Sequence, residues 1–244
     1  METNRVPAAQ NKWRKPGLFT TQNIAMLAIF TAFSTVLYLF AKIPLPFFPP
    51  FLELQISDMP ALVAGCVLGP TAGSVVVILR GFIKLAFTHT GGVGELADIL
   101  IGLSFVLPAA LIYQRRRSTA GLLAALLAGI VTTTAAALLC NWAFLIRFYS
   151  LMMPEGFSGV LGLVQTVLPQ ATESSFYFYY LLLAVLPFNL LRSAVCAAVT
   201  FVIYRAVGGL FERLIRERNK RGRKTPPSAE VTPPSVDAPA SADE

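Results

Sequence analysis

Five long stretches of this chain are almost free of charge, at residues 22–41, 58–87, 94–114, 119–147 and 176–207, and they constrain its fold more than any other feature. About 20 apolar residues in helical conformation span the hydrocarbon layer of a bilayer. Over the whole chain 55% of residues are hydrophobic and only 14% charged, against roughly 25% charged in a soluble domain. One core cannot hide so much apolar side chain from water in 244 residues, because surface falls too slowly with size. A soluble enzyme, a disulfide scaffold and a disordered protein are therefore all disfavoured. The three cysteines, Cys66, Cys140 and Cys196, sit far apart inside apolar runs and read as small buried hydrophobes. No metal site is expected.

The second stretch is too long for one crossing and contains Gly69-Pro70, where a helix must stop because proline lacks the N–H and clashes with the preceding turn. Splitting it there, into 58–68 and 70–87, predicts six helices. The basic residues test that count. Fifteen of the 20 Lys and Arg residues fall in three short segments: before the first run, at Arg115-Arg116-Arg117, and at or after the end of the last run. With six helices all three segments lie on one face, as the excess of basic residues in cytoplasmic loops requires. The expected architecture is an all-α integral membrane bundle of six transmembrane helices, with both termini cytoplasmic. Its expected parts are a basic segment 1–21, a membrane domain 22–208, and a tail 209–244 that begins basic and ends disordered. Residues 211–218 are expected to prolong the last helix as a basic amphipathic stretch. The first outer connection, 42–57, is rich in Pro and Phe and is expected to pack as a lid. The connection 148–175 gives no clear structural signal beyond a turn at Pro154-Glu155-Gly156.

Polar residues inside apolar helices carry the functional information. Arg80 and Lys84 share a face of the third helix, Glu95 and Asp98 open the fourth, Asn141 lies on the fifth, and Asn189 and Arg192 lie on the sixth. All fall in the outer half of the expected bundle, which points to a shared cavity opening outward. Simpler roles compete. Glu95 and Asp98 suit the positive end of a helix, Lys84 is expected to snorkel to the outer headgroups, and Asn141 suits an interhelical hydrogen bond. Catalytic motifs are missing from the sequence: His89 is the lone histidine, and neither Gly-x-Ser-x-Gly nor a phosphate loop occurs. An intramembrane hydrolase built on Asp58 or Glu95 is the alternative class.

Several strings resemble a known family in order and spacing. They are Leu45–Leu54 (LPFFPPFLEL), Ser57–Leu62 (SDMPAL), Gly69-Pro70, Gly92–Asp98 (GVGELAD), Leu107–Tyr113 (LPAALIY) and Pro187–Arg192 (PFNLLR). The resemblance is to the riboflavin-specific substrate-binding (S) component of energy-coupling factor (ECF) transporters, and it covers about 20–208. It implies six helices, cytoplasmic ends and a vitamin cavity near the outer face of the cell membrane, capped by the first loop. It implies no cofactor and no catalysis in this chain. Partners would be a transmembrane coupling protein and two ATP-binding-cassette subunits that use ATP, with no role for nucleic acid. Docking would use small residues of the first helix, here Ala25, Ala28 and Ala32. Riboflavin is neutral and flat, with an imide edge and a hydroxylated chain. Asn141 or Asn189 would meet that edge and Arg192 a carbonyl or ribityl oxygen. Glu95 and Asp98 belong to the same expected site, and Leu45, Phe47 and Leu54 would cover the ring. Another vitamin or precursor remains the alternative ligand.

Overall fold

A computed structural model of the chain describes residues 21–88 and 91–224. The expected disordered end of the tail and nearly all of the basic N-terminal segment lie outside the described residues. The fold is mostly helical. Helix α1 spans Thr21–Phe40, α2 Met59–Leu68, α3 Pro70–Leu85 and α4 Val93–Arg115. Helix α5 runs Thr119–Met152 and includes one π-helical turn at Asn141–Leu145. Helix α6 is the short Phe157–Gln165. Helix α7 begins at Phe176–Tyr179, passes a π-helical turn at Tyr180–Val185, and continues as Leu186–Lys224.

Among the described residues, four helical spans are long and apolar enough to cross a membrane: Thr21–Phe40, Val93–Arg115, Thr119–Met152 and Phe176–Ala206. Their surfaces explain why. Ile29, Phe40, Leu127, Val131, Leu139 and Val202 are all exposed, as side chains of a helix bathed in hydrocarbon should be. Helix α2 is different. It has 10 residues, about half a bilayer at ~1.5 Å per residue, and every one from Met59 to Val67 is buried among its neighbours. Protein, not lipid, surrounds it.

The break between α2 and α3 falls at the expected Gly69-Pro70. Gly69 has φ 117°, a conformation that favours glycine, and Pro70 opens α3 where its missing N–H costs nothing. Small residues let α2, α3 and α4 approach closely: a Cβ built on Gly65 would meet Ala110 Cβ at 3.0 Å. Helices α4 and α5 are joined by side-chain hydroxyls, with Thr132 donating to Ser104 O at 2.6 Å and Thr133 to Ile101 O at 3.1 Å. The three cysteines are buried and unpaired.

Three features depart from or extend the expectation. The bundle is not wholly helical, because the Pro- and Phe-rich connection holds an antiparallel hairpin of β1 (Lys42–Pro44) and β2 (Glu53–Gln55), pairing Ile43 with Leu54. Such a pair satisfies backbone groups that proline keeps out of a helix. Its loop packs by aromatic contacts: Phe48 lies edge-on to Phe188 at 5.3 Å between centroids, and Phe51 sits 6.0 Å from Tyr149. Half of the stretch 148–175 is helical, the end of α5 followed by α6. The last helix continues through 211–218, as expected.

Candidate functional site

A cavity of about 730 Å³ opens beneath the hairpin, walled by α1, α3, α4, α5, α6 and α7. Two of its polar residues stand near the π-helical turns: Asn141 opens the one in α5, and Asn189 follows four residues after the one in α7. Glu95, Asp98, Asn141, Asn189 and Arg192, all expected in a ligand site, line this one cavity. Leu45, Phe47 and Leu54 are not among the lining residues. Phe47 is 80% exposed at the tip of the loop. Alternation along β2 explains Leu54, because neighbouring strand residues face opposite ways and Glu53 and Gln55 take the cavity side. The hairpin's apolar contribution comes from Phe51 and Leu52 instead, and Tyr38, Phe87, Tyr149 and Phe188 complete an aromatic wall.

Charges at and behind the cavity wall are organised around two carboxylates, of which Asp98 lines the cavity and Asp58 does not. Asp58 stands at the N-terminus of α2, yet its side chain makes no capping hydrogen bond. It faces Arg192 Nη2 at 2.6 Å through Oδ2 and Arg80 Nη2 at 2.8 Å through Oδ1. Asp98 pairs with Lys84 and lies 3.9 Å from Arg192 and 4.0 Å from Arg80. Arg80 also donates to Ser57 Oγ at 3.2 Å and Ser34 Oγ at 3.4 Å, while Ser34 donates to Ser57 O at 2.6 Å. Helices α1, α2, α3, α4 and α7 are thus tied by one polar network. Asp58 is not among the site residues expected from the sequence. Its partner Arg192 is 134 residues away along the chain, and no local pattern marks such a pair.

Lys84 corrects the sequence reading. It does not snorkel outward: it is 3% exposed, paired with Asp98, and its ammonium sits 3.5 Å from the Tyr38 ring centroid. A carboxylate and an aromatic face within contact distance stabilise the buried charge. Lys42 approaches the same ring at 4.5 Å and pairs with Glu53 at 3.1 Å. Glu95 accepts from Thr88 Oγ1 at 2.8 Å. The cavity wall consequently carries three basic residues (Lys42, Lys84, Arg192) and three acidic ones (Glu53, Glu95, Asp98). Among the described residues no three His, Cys, Asp or Glu side chains gather as a metal site.

A family model described as "ECF transporter, substrate-specific component" matches residues 22–204. The riboflavin transporter RibU of Staphylococcus aureus (strain TCH60) is 26% identical over 204 residues, covering 84% of this chain and all of that protein. The riboflavin transporter FmnP of Bacillus subtilis (strain 168) is 26% identical over 97 residues, 38% of this chain and 50% of that protein. Among solved structures, an S component of a bacterial ECF transporter superposes with a TM-score of 0.55 at 26% identity, covering 78% of this chain and 96% of that one. The family is a substrate-binding part of a transporter rather than an enzyme. With four membrane-length helices and a match extending from α1 into α7, this multi-pass membrane protein belongs to the family of substrate-specific components of ECF transporters.

Proposed function

We propose that this chain binds riboflavin from the outer face of the cell membrane and delivers it inward as the S component of an ECF importer. The observation that carries the reading is the cavity itself. At about 730 Å³ it lies within the roughly 300–1,000 Å³ typical of small-molecule sites, and its wall is aromatic with equal numbers of acidic and basic residues. A neutral, flat, aromatic ligand suits that wall, since rings stack on Phe and Tyr faces and no unmatched charge asks for an ion. Riboflavin transport by the relatives supports the same ligand. In this reading Asn141 and Asn189 bond the imide edge, Arg192 a ligand oxygen, and Glu95 and Asp98 hold the polar end in place. The chain crosses the membrane six times, α2 and α3 included, with both termini inside where the basic clusters lie. Titrating the purified protein with riboflavin should quench flavin fluorescence to a one-to-one end point. Absence of quenching, in protein that also carries no yellow flavin from the cell, would overturn the ligand.

Import then needs the coupling protein and two ATP-binding-cassette subunits, which consume the ATP. Ala25, Ala28 and Ala32 are all exposed on α1, flanking the stripe of buried Leu27, Thr31, Ser34 and Thr35. That surface admits another helix closely. Ala28→Trp should leave riboflavin affinity unchanged and abolish uptake in cells; normal uptake would remove α1 as the docking face.

A further inference from the structure

What Asn141 can offer a ligand is set by its own hydrogen bonds. Its amide lies 2.8 Å from Ala137 O. A carbonyl only accepts, so the atom facing it is Nδ2. The other amide atom, Oδ1, accepts a hydrogen bond from the Tyr180 hydroxyl at 2.7 Å. An Asn amide has two N–H groups and a carbonyl with two lone pairs; with one N–H on Ala137 O and one lone pair on the Tyr180 hydroxyl, the second N–H is the one donor left for the cavity that Asn141 lines. Asn189 is different. Its Nδ2 donates to Val185 O at 2.9 Å, and its carbonyl has no partner among the described residues, so it presents both a donor and an acceptor.

Tyr180 is fully buried and is not among the cavity's lining residues. Phe176 stacks on it with centroids 5.3 Å apart and Phe51 lies at 6.1 Å, so its ring has no freedom to swing away. It opens the π-helical turn of α7 and bonds the residue that opens the turn of α5. Such turns are frequent at functional sites, because the extra residue re-aims side chains.

We propose that Tyr180 is a positioning residue for ligand recognition: by bonding the Asn141 carbonyl it holds the amide, together with Ala137 O, with its free N–H toward the cavity, and this side of the cavity selects a ligand acceptor. The inference rests on the flavin reading above and sharpens it. An imide edge presents carbonyl, N–H, carbonyl in a row. Asn141 supplies the donor for one carbonyl, while Asn189 supplies the acceptor and donor for the rest. Turning the Asn141 amide over would set an acceptor against Ala137 O on one side and against a ligand carbonyl on the other, and the Tyr180 hydroxyl adds a second bond that opposes the turn.

The test is a double-mutant cycle on the purified full chain, reading riboflavin affinity in wild type, Tyr180→Phe, Asn141→Ala and the double variant. Tyr180→Phe should weaken binding about tenfold when Asn141 is present, and less than about twofold when residue 141 is already alanine. An equal loss in both backgrounds would make Tyr180 merely structural, and an unchanged affinity would remove it altogether; either overturns the proposal. Should Tyr180→Phe not fold, wild type is titrated with 2-thio- and 4-thioriboflavin, whose sulfurs are poor acceptors. One of the two should then bind more weakly than riboflavin, and equal affinity for all three overturns the proposal. Wild type that binds no riboflavin would take down the ligand reading and this inference with it. Wild type that binds, with a flat cycle, takes down the role of Tyr180 alone.

Discussion

Asp58→Asn should cost the protein more stability than removal of any of its exposed charges. The carboxylate is 2% exposed and bridges two guanidiniums, Arg80 at 2.8 Å and Arg192 at 2.6 Å. Asparagine keeps the shape and removes the charge. Two buried cations would then share Asp98, which sits at 3.9–4.0 Å from both and is already paired with Lys84. Breaking one buried pair by removing a partner costs about 3–5 kcal/mol, a large part of the ~5–15 kcal/mol that holds a typical domain together. The half-buried pair Lys42–Glu53, with side chains 32% and 40% accessible, provides the contrast. Breaking it should cost under about 1 kcal/mol. Thermal unfolding in detergent compares the two variants directly. An Asp58→Asn protein that melts with wild type would show that the network does not hold the helices together.

The sequence made the helices legible because their signals are local. Each apolar run is a few turns long, and Gly69-Pro70 announces its own break. The residues that gather at the cavity were legible for a related reason: Glu95, Asp98, Asn141, Asn189 and Arg192 stand out because hydrocarbon excludes such groups unless something holds them. What holds them was not legible. Arg80 and Asp58 meet across 22 residues and Arg192 and Asp58 across 134, and neither spacing follows from helix periodicity. The hairpin illustrates a second limit. Its Phe and Pro composition predicts a packed connection, but strand register decides which side chains enter the cavity, and register placed Glu53 and Gln55 there instead of Leu54. Tyr180 shows a third. An aromatic residue in an apolar helix carries no mark of function until the partner of its hydroxyl is known.

Gly73→Val should be nearly as damaging as the loss of Asp58, for a steric reason acting on the same helix. A Cβ at position 73 would lie 2.5 Å from Val106 Cγ1, 2.8 Å from Ala61 O and 2.9 Å from Gly65 Cα. The first contact is a side chain of α4. The other two are backbone of α2, and backbone cannot rotate out of the way. Relief requires α2 and α3 to separate, yet they are joined by the single residue Gly69. Overpacking a core typically costs about 1–3 kcal/mol and occasionally more, and contact with rigid backbone on two sides puts this case at or above the top of that range. Gly162 of α6 is the control, with no atom beyond its chain neighbours and its own helix backbone within 4 Å of its would-be Cβ; Gly162→Ala should be neutral or stabilise by up to about 1 kcal/mol. Because Asp58 stands at the start of α2, displacing that helix also draws the carboxylate from Arg80 and Arg192. Gly73→Val should therefore lose flavin affinity together with its melting temperature, whereas Ala28→Trp loses uptake alone. A Gly73→Val protein that melts and binds like wild type would mean that α2 and α3 have room to part without disturbing the cavity wall.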